Sequence, residues 1–148
     1  MSISPAPGAA PRLVISGVSK TFPGRTPVQA LTPVDVTLAD NEFVSLVGTS
    51  GCGKSTLLGI VAGLVEPTEG VVLVDGQPVS GPGRDRGVVF QTYTLFPWLT
   101  ARQNIEFALD GEPGLTRDQK RRIAAEHLEL VGLAAFADAY PRQRAGGM

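Results

Sequence analysis

The stretch that most constrains the fold is the glycine-rich run Gly48–Thr56, with the sequence GTSGCGKST. It follows an apolar run, Glu42–Val47, and precedes a helix-like run, Lys54–Gly63, so it joins a predicted strand to a predicted helix. Its spacing matches GxxxxGK[ST], in which glycines bring backbone N–H groups close to phosphate oxygens. The sequence therefore predicts a loop that holds the phosphates of a nucleotide triphosphate.

Each part of this loop has an expected contact with the nucleotide or its metal. The helix that begins at Lys54 contributes unsatisfied N–H groups and the positive end of its dipole. The Lys54 ammonium is expected to reach the β- and γ-phosphates, and the Ser55 hydroxyl to ligate Mg²⁺. A glycine turn that merely joins two elements is the plainer alternative, but the flanking strand and helix favour binding. The predicted phosphate-binding residues are Gly48, Thr49, Ser50, Gly51, Cys52, Gly53, Lys54, Ser55 and Thr56.

Length and composition bound the class of protein. The 148 residues are 43% hydrophobic and 18% charged with a net charge of −1, which fits one globular domain or part of one. This balance gives no reason to expect a nucleic acid partner. No apolar run approaches the ~20 residues that span a bilayer. The Ser/Ala/Pro/Gly-rich stretch 1–11 is interpreted as a disordered tail and not as a signal peptide.

Cys52 is the single cysteine of the chain. It has no second cysteine with which to form an internal disulfide, and this favours a cytosolic location. Because it lies inside the glycine-rich loop, a redox role remains an alternative. A small residue that fills the loop is the favoured interpretation.

The chain outside the loop predicts an α/β domain that opens with antiparallel strands. Leu13–Ile15 and the alternating run Val34–Leu38 predict the opening strands. Val71–Val74 followed by the turn Asp75-Gly76 predicts a hairpin. Gly87–Gln91 predicts a further buried strand that ends in a polar residue.

Two helices are predicted after an aromatic loop that spans residues 92–99. Thr100 and Thr116 each precede a glutamine by three residues, the capping-box pattern, and predict helices over Ala101–Leu109 and Arg117–Val131. His127 in the second helix is expected to be structural. The aromatic residues of the loop are Tyr93, Phe96 and Trp98, and the expected solvated face of the second helix carries Arg117, Lys120, Arg121 and Arg122.

Four features in one order carry a family resemblance: Phe22, the Gly48–Thr56 loop, Val89–Gln91 and the pair Gly146-Gly147. Together they resemble the nucleotide-binding subunit of an ATP-binding cassette (ABC) transporter. The run Gly81–Thr100 is similar to the ATPase subunits of bacterial importers for nitrate, sulfonate, taurine and related compounds. The resemblance implies a P-loop NTPase fold with a RecA-like core and an N-terminal antiparallel β part over residues 12–91. A helical subdomain is implied over residues 92–148.

The resemblance implies roles for residues outside the loop. Phe22 matches the aromatic residue that stacks on adenine, although an ordinary apolar residue at a strand end is the plainer alternative. Gln91 matches the glutamine that contacts Mg²⁺ and the attacking water. Gln91 and Lys54 are therefore the candidate catalytic residues, and Gln91 and Ser55 the candidate metal ligands.

Gly146 and Gly147 match the glycines of the family signature, which offer N–H groups to a γ-phosphate across a dimer interface. Ala145 lacks the hydroxyl of the usual serine, and Arg144 places a charge where the family has an apolar residue. The loss of one charge-assisted hydrogen bond to phosphate costs about 1.5–3 kcal/mol. A weakened contact across the dimer is therefore expected.

The resemblance also implies cofactors and partners. ATP and Mg²⁺ are the expected cofactors, and a homodimer of ATPase subunits is the expected assembly. Transmembrane permease subunits are the expected direct partners. Some of the aromatic residues in the loop 92–99 are expected to line the groove that receives the coupling helix of the permease. A periplasmic or lipid-anchored substrate-binding protein is an indirect partner, and no nucleic acid partner is expected. The chain is then a peripheral protein on the cytoplasmic face of the inner membrane.

Three catalytic residues of the family find no match after Gln91: the Walker B aspartate, the catalytic glutamate and the switch histidine. The chain is therefore expected to be a truncated or partial form, with an incomplete core sheet and exposed strand edges. ATP hydrolysis is expected to fall by orders of magnitude without these groups. A nucleotide-binding fragment without hydrolytic activity is one alternative function, and a soluble ABC ATPase acting on nucleic acid is the other.

Overall fold

The first half of the chain is built on a five-stranded sheet. The computed structural model describes residues 2–3, 11–92 and 94–141. The strands lie in the spatial order β1-β3-β2-β4-β5, and every neighbouring pair is antiparallel except β1 with β3. The predicted antiparallel opening is therefore confirmed. The strands are β1 (Ser2–Ile3), β2 (Pro11–Phe22), β3 (Val28–Ala39), β4 (Glu69–Val74) and β5 (Gln77–Pro78).

Two turns in the first half of the chain contain residues with left-handed backbone. Asp75 and Gly76 have φ angles of 49° and 74°, so both central residues of the β4–β5 hairpin adopt the geometry of a tight two-residue turn. Asn41 has a φ of 57°, and the turn it makes is closed by a hydrogen bond from the Glu42 N–H to the Ala39 carbonyl. The Asp75-Gly76 turn lies where the sequence predicts it.

Helix α1 (Lys54–Val61) packs on the sheet and closes its core. Leu57 and Ile60 on this helix are buried, whereas Leu58 on the helix and Leu64 after it are 57% and 53% exposed. The helix therefore buries a narrow face against the sheet. The core joins these two residues to five from the sheet: Ile15, Val18, Leu31, Val36 and Val72.

Two predicted strands are not formed. Glu42–Val47 and Gly87–Gln91 belong to no strand of the described residues. The side chains of Phe43 and Val47 are each 91% exposed, and that of Val89 is fully exposed. A strand is stabilised by hydrogen bonds to a neighbouring strand as well as by burial of its apolar side chains. Leu46 packs against the core, but neither segment pairs with a strand within the described part of the chain. The strand predicted directly before the loop is accordingly absent from these residues.

Part of the predicted disordered tail is ordered. Ser2 and Ile3 pair with Asp35 and Val36 of β3, and β2 already begins at Pro11. Two backbone pairs suffice to align this short segment parallel to β3. Residue 1 and residues 4–10 of the predicted tail lie outside the described residues.

The second half of the chain is helical. Helix α2 (Ala101–Ala108) and helix α3 (Arg117–Leu130) are followed by a 3-10 turn, Ala134–Phe136. Both predicted capping boxes are confirmed, since each threonine hydroxyl accepts from the N–H of its glutamine and the glutamine side chain accepts from the threonine N–H. Ala124 and Leu128 are the buried residues of α3.

The two halves are separate compact units, residues 1–89 and 90–148. This division lies two residues before the boundary predicted between residues 91 and 92. None of the helices among the described residues has both the length and the apolar character needed to cross a membrane.

Candidate nucleotide-binding site

The glycine-rich loop closes around the ammonium group of Lys54. Its Nζ donates hydrogen bonds to the carbonyl oxygens of Gly48 and Thr49, each at 2.7 Å, and lies 3.4 Å from the Sγ of Cys52. The loop is thus curled into a ring with one positive charge at its centre. The positive charge attracts a phosphate group, which would replace the two carbonyl oxygens as partners of the ammonium group.

Two glycines of the loop allow close approaches that other residues forbid. A Cβ added to Gly48 would lie 2.6 Å from the Sγ of Cys52, within the loop itself. A Cβ added to Gly53 would lie 2.6 Å from the carbonyl oxygen of Ala30, and Gly53 also has a φ of 93°. Position 53 therefore requires glycine to keep the loop against strand β3, whereas a Cβ at Gly48 would displace the Cys52 side chain within the loop.

The helix after the loop begins without a cap. Gly53 is the N-cap residue, no side chain accepts from the first turn, and the first turn contains no acidic residue. The first hydrogen bond of the helix runs from the Leu57 N–H to the Gly53 carbonyl at 2.8 Å. The N–H groups of the three preceding residues have no partner within the helix, as helix geometry requires. They lie at the positive end of the helix dipole, which favours an anion.

These features fit the triphosphate of a nucleotide and its metal. The loop supplies one ammonium group, unpaired N–H groups and a helix end free of negative charge. The Ser55 side chain is exposed at the start of the helix, where a hydroxyl is available to Mg²⁺. No charge in the first turn of the helix opposes the binding of phosphate.

Phe22 lies at the end of strand β2, close to the part of strand β3 that the loop contacts. It is the last residue of β2 and pairs with Val28 of β3, while Gly53 contacts Ala30 of the same strand. Two residues along a strand span about 7 Å, so the aromatic ring and the loop share one end of β3. Phe22 is 42% exposed, which leaves part of its ring accessible. Phe22 and the loop are distant in the sequence, and both lie close together in the fold because both contact β3.

Gln91 lies in the second unit, in an exposed segment outside any strand. Its predicted contacts with the metal and the attacking water remain predictions. Gly146 and Gly147, like Arg144, Ala145 and the aromatic Tyr93, lie outside the described residues.

The aromatic loop of the second unit is held by a residue that the sequence patterns did not single out. The Oδ1 of Asn104 accepts from the Phe96 N–H at 2.8 Å, and its Nδ2 lies 3.0–3.2 Å from the carbonyl oxygens of Phe96, Leu99 and Thr100. The Phe96 ring packs edge-on against Phe107 at 4.7 Å, whereas Trp98 is 68% exposed. Phe96 is therefore partly a packing residue, and Trp98 presents its ring to solvent.

The basic residues of helix α3 do not all belong to a solvated face. Lys120 was predicted there, but its side chain is only 18% exposed and its Nζ donates to Asp110 at 2.8 Å. The sequence pattern missed this pair because Asp110 lies in the turn before the helix. His127 is exposed, and its Nδ1 lies 2.8 Å from the Ile123 carbonyl, so it donates when protonated there.

The glycine-rich loop before α1 and the sheet beneath it define the class, which is a P-loop domain. The family model described as "ABC transporter" matches residues 31–148. The chain belongs to the ABC transporter family.

Named relatives narrow the comparison. A Brucella abortus protein provisionally named as ATP-binding is 54% identical over 119 residues, 80% of this chain and 45% of the relative. A nitrate import ATP-binding protein of Synechocystis is 49% identical over 137 residues, 92% of this chain and 51% of the relative. A bicarbonate transport ATP-binding protein of Synechococcus elongatus is 47% identical over 139 residues, 92% of this chain and 21% of the relative. The chain spans about half the length of the first two relatives.

One solved structure has a fold similar to that of this chain. It is a dimeric ATP-binding cassette in a post-hydrolysis state with bound ADP and inorganic phosphate. Its TM-score is 0.77 at 34% sequence identity, and the match covers 91% of this chain and 64% of that chain. The fold class predicted from the sequence is therefore confirmed as that of an ABC cassette.

Proposed function

We propose that this chain binds ATP together with Mg²⁺ through the loop Gly48–Thr56. The observation that carries the proposal is the Lys54 ammonium, which is enclosed by the loop directly before an uncapped helix end. Phe22 stacks on the adenine, and the Ser55 hydroxyl is a ligand of the metal. The shared edge of β3 supports the pairing of an adenine platform with a phosphate site.

The chain is further proposed to be part of the energy-coupling subunit of a bacterial importer for a small anion. Nitrate, sulfonate, taurine or a similar compound is the substrate class that the Gly81–Thr100 run supports. The relatives named for nitrate and bicarbonate support a small anion. Permease subunits and a substrate-binding protein would then select the substrate, and the chain would act at the cytoplasmic face of the membrane.

Two copies of the subunit are proposed to act as a dimer, a proposal supported by the dimeric cassette with ADP and phosphate. Lys54 would hold the γ-phosphate during its transfer to water, and Gln91 would orient the water and the metal. Phosphoryl transfer also needs a general base and a further metal ligand. The residues assigned here have neither of these tasks, and ATP binding is the activity proposed for the 148 residues.

The experiment is isothermal titration of the 148-residue chain with ATP and Mg²⁺. Saturable binding that depends on Mg²⁺ is expected. Lys54→Ala is expected to weaken binding by about tenfold or more, because it removes a charged hydrogen-bond donor from the phosphate site. Lys120→Ala is the matched control, since it removes a lysine whose partner is Asp110 in the second unit.

Equal affinity in the wild type and Lys54→Ala would contradict the loop as the binding site. Loss of binding in Lys120→Ala would also count against it, because that lysine donates to Asp110 and not to the loop. The same titration with inorganic tripolyphosphate distinguishes a site that also binds the base from a site that binds only phosphates. Tighter binding of ATP than of tripolyphosphate is expected, because Phe22 stacks on the base.

A further inference from the structure

Lys20 contacts Phe22 from two residues earlier on the same strand. Its Nζ lies 5.2 Å from the centroid of the Phe22 ring, within the range of a cation–π interaction. The same ammonium group donates a hydrogen bond of 2.6 Å to the carbonyl oxygen of Glu66. Lys20 is half-buried, and its ammonium group is held by the Phe22 ring and by the Glu66 carbonyl oxygen.

Glu66 lies in the segment that follows helix α1, and this segment is hydrogen-bonded to the end of β2. The Thr68 N–H donates to the Ser19 carbonyl at 2.8 Å. The Thr21 N–H donates to the Thr68 hydroxyl at 2.9 Å, and this hydroxyl lies 3.3 Å from the Thr21 carbonyl. The residues on either side of Lys20 are thus tied to the segment that supplies its hydrogen-bond acceptor.

Helix α1 connects the phosphate loop to the segment that contains Glu66. Helix α1 begins inside the loop at Lys54 and ends at Val61, and Glu66 follows in the next turn of chain. The aromatic ring is therefore linked to the phosphate site by two routes. One runs through β3, where Ala30 contacts Gly53, and the other runs through α1 and Lys20.

We propose that Lys20 is a positioning residue for the adenine of the bound nucleotide, a proposal that rests on the ATP site described above. The cation and its Glu66 anchor hold the Phe22 ring in one orientation before the nucleotide arrives. A platform ordered in advance loses less entropy when the base stacks on it, so the base is bound more tightly. Lys20 acts through Phe22 and does not contact the phosphates.

The test compares a ligand that has the base with one that lacks it. ATP and inorganic tripolyphosphate, each with Mg²⁺, are titrated into the 148-residue chain. Lys20→Met keeps the aliphatic stem but removes the charge, whereas Lys20→Arg keeps the charge. Lys20→Met is expected to weaken ATP binding about 2- to 5-fold, the size of an exposed cation–π interaction. Tripolyphosphate affinity is expected to stay unchanged, and Lys20→Arg to restore ATP affinity.

A second comparison tests whether Lys20 acts through the ring. In the Phe22→Ala background, Lys20→Met is expected to have no further effect on ATP affinity, because the two residues act as a unit. A further loss in that background would overturn the proposal. An equal loss of ATP and tripolyphosphate affinity in Lys20→Met would overturn it as well, since Lys20 would then serve the phosphates or the general stability of the unit.

The failure of the ATP site itself gives a different result. A wild-type chain that binds neither ATP nor tripolyphosphate contradicts the proposed function and the role of Lys20 together. A wild-type chain that binds both equally, with no effect of Phe22→Ala, leaves a phosphate site but overturns the adenine platform and the role of Lys20 in it.

Discussion

Gly53 lies directly against the carbonyl of Ala30, with room for no side chain between them. A Cβ on Gly53 would approach the Ala30 oxygen to 2.6 Å and the Leu31 side chain to 2.9 Å. This contact positions the phosphate loop on strand β3, close to the end of that strand where Val28 pairs with Phe22 of β2. The position of the loop relative to the sheet therefore depends on one glycine.

Replacement of this glycine is expected to unseat the loop. Gly53→Ala forces a residue with a φ of 93° to carry a Cβ against backbone atoms. The free energy of unfolding is expected to fall by about 2 kcal/mol or more, as measured by urea denaturation followed by circular dichroism. Gly87→Ala is the control, because no atom lies within 4 Å of its added Cβ. Equal stability of Gly53→Ala and the wild type would refute the contact.

Asn104 is expected to be the residue that stabilises the aromatic loop. Asn104→Ala removes the acceptor of the half-buried Phe96 N–H and the donor to nearby carbonyl oxygens. The free energy of unfolding is expected to fall by about 2–3 kcal/mol, as measured by thermal and urea denaturation.

Asn104→Asp tests the acceptor and donor contacts of the Asn104 side chain separately. It keeps an acceptor for the Phe96 N–H but places a carboxylate oxygen against three backbone carbonyl oxygens, so a fall in stability at least as large as that of Asn104→Ala is expected. Glu126→Ala serves as the control in the same unit, because its side chain is 65% exposed. A loss in Glu126→Ala as large as that in Asn104→Ala would show that the denaturation does not report on the network.

The capping box at the start of α3 gives a graded prediction. Thr116→Ala removes the hydroxyl that accepts from the Gln119 N–H at 3.3 Å. The free energy of unfolding is expected to fall by about 1 kcal/mol, measured by urea denaturation. Thr116→Ser keeps the hydroxyl and is expected to match the wild type, so an equal fall in both variants would contradict the cap.

The side chain of Cys52 is expected to fill space in the loop, and only its backbone N–H group is expected to take part in binding. Its thiol is exposed and only a weak hydrogen-bond acceptor for Lys54 at 3.4 Å. Cys52→Ala is therefore expected to bind ATP within about twofold of the wild type, as measured by titration calorimetry. A loss as large as that of Lys54→Ala would assign the thiol a direct role.

Local signals in the sequence predicted the elements that local chemistry determines. Asp75-Gly76 predicted its hairpin because both residues accept left-handed backbone. Thr100 and Thr116 predicted the starts of α2 and α3 because a hydroxyl and a glutamine three residues later satisfy each other's backbone groups. The spacing of the loop predicted the place of Lys54 at the start of α1 in the same way.

Features that depend on distant partners were not predictable from such patterns. The apolar runs Glu42–Val47 and Gly87–Gln91 have the composition of strands, but a strand also needs a neighbour, and none pairs with them in the described residues. The pairing of Lys120 with Asp110 and the contact of Gly53 with Ala30 likewise join residues through the folded chain. Amino-acid spacing within one segment contains no record of these contacts.

Hydrogen–deuterium exchange of the 148-residue chain, with and without ATP and Mg²⁺, tests the central claim most directly. Binding through the loop predicts slower exchange of the backbone amides of Gly48–Thr56, because their N–H groups donate to phosphate oxygens. The amides of the Asp75-Gly76 turn are the internal reference and are expected to be unchanged. Unchanged exchange in the loop at a saturating concentration of ATP would contradict the account.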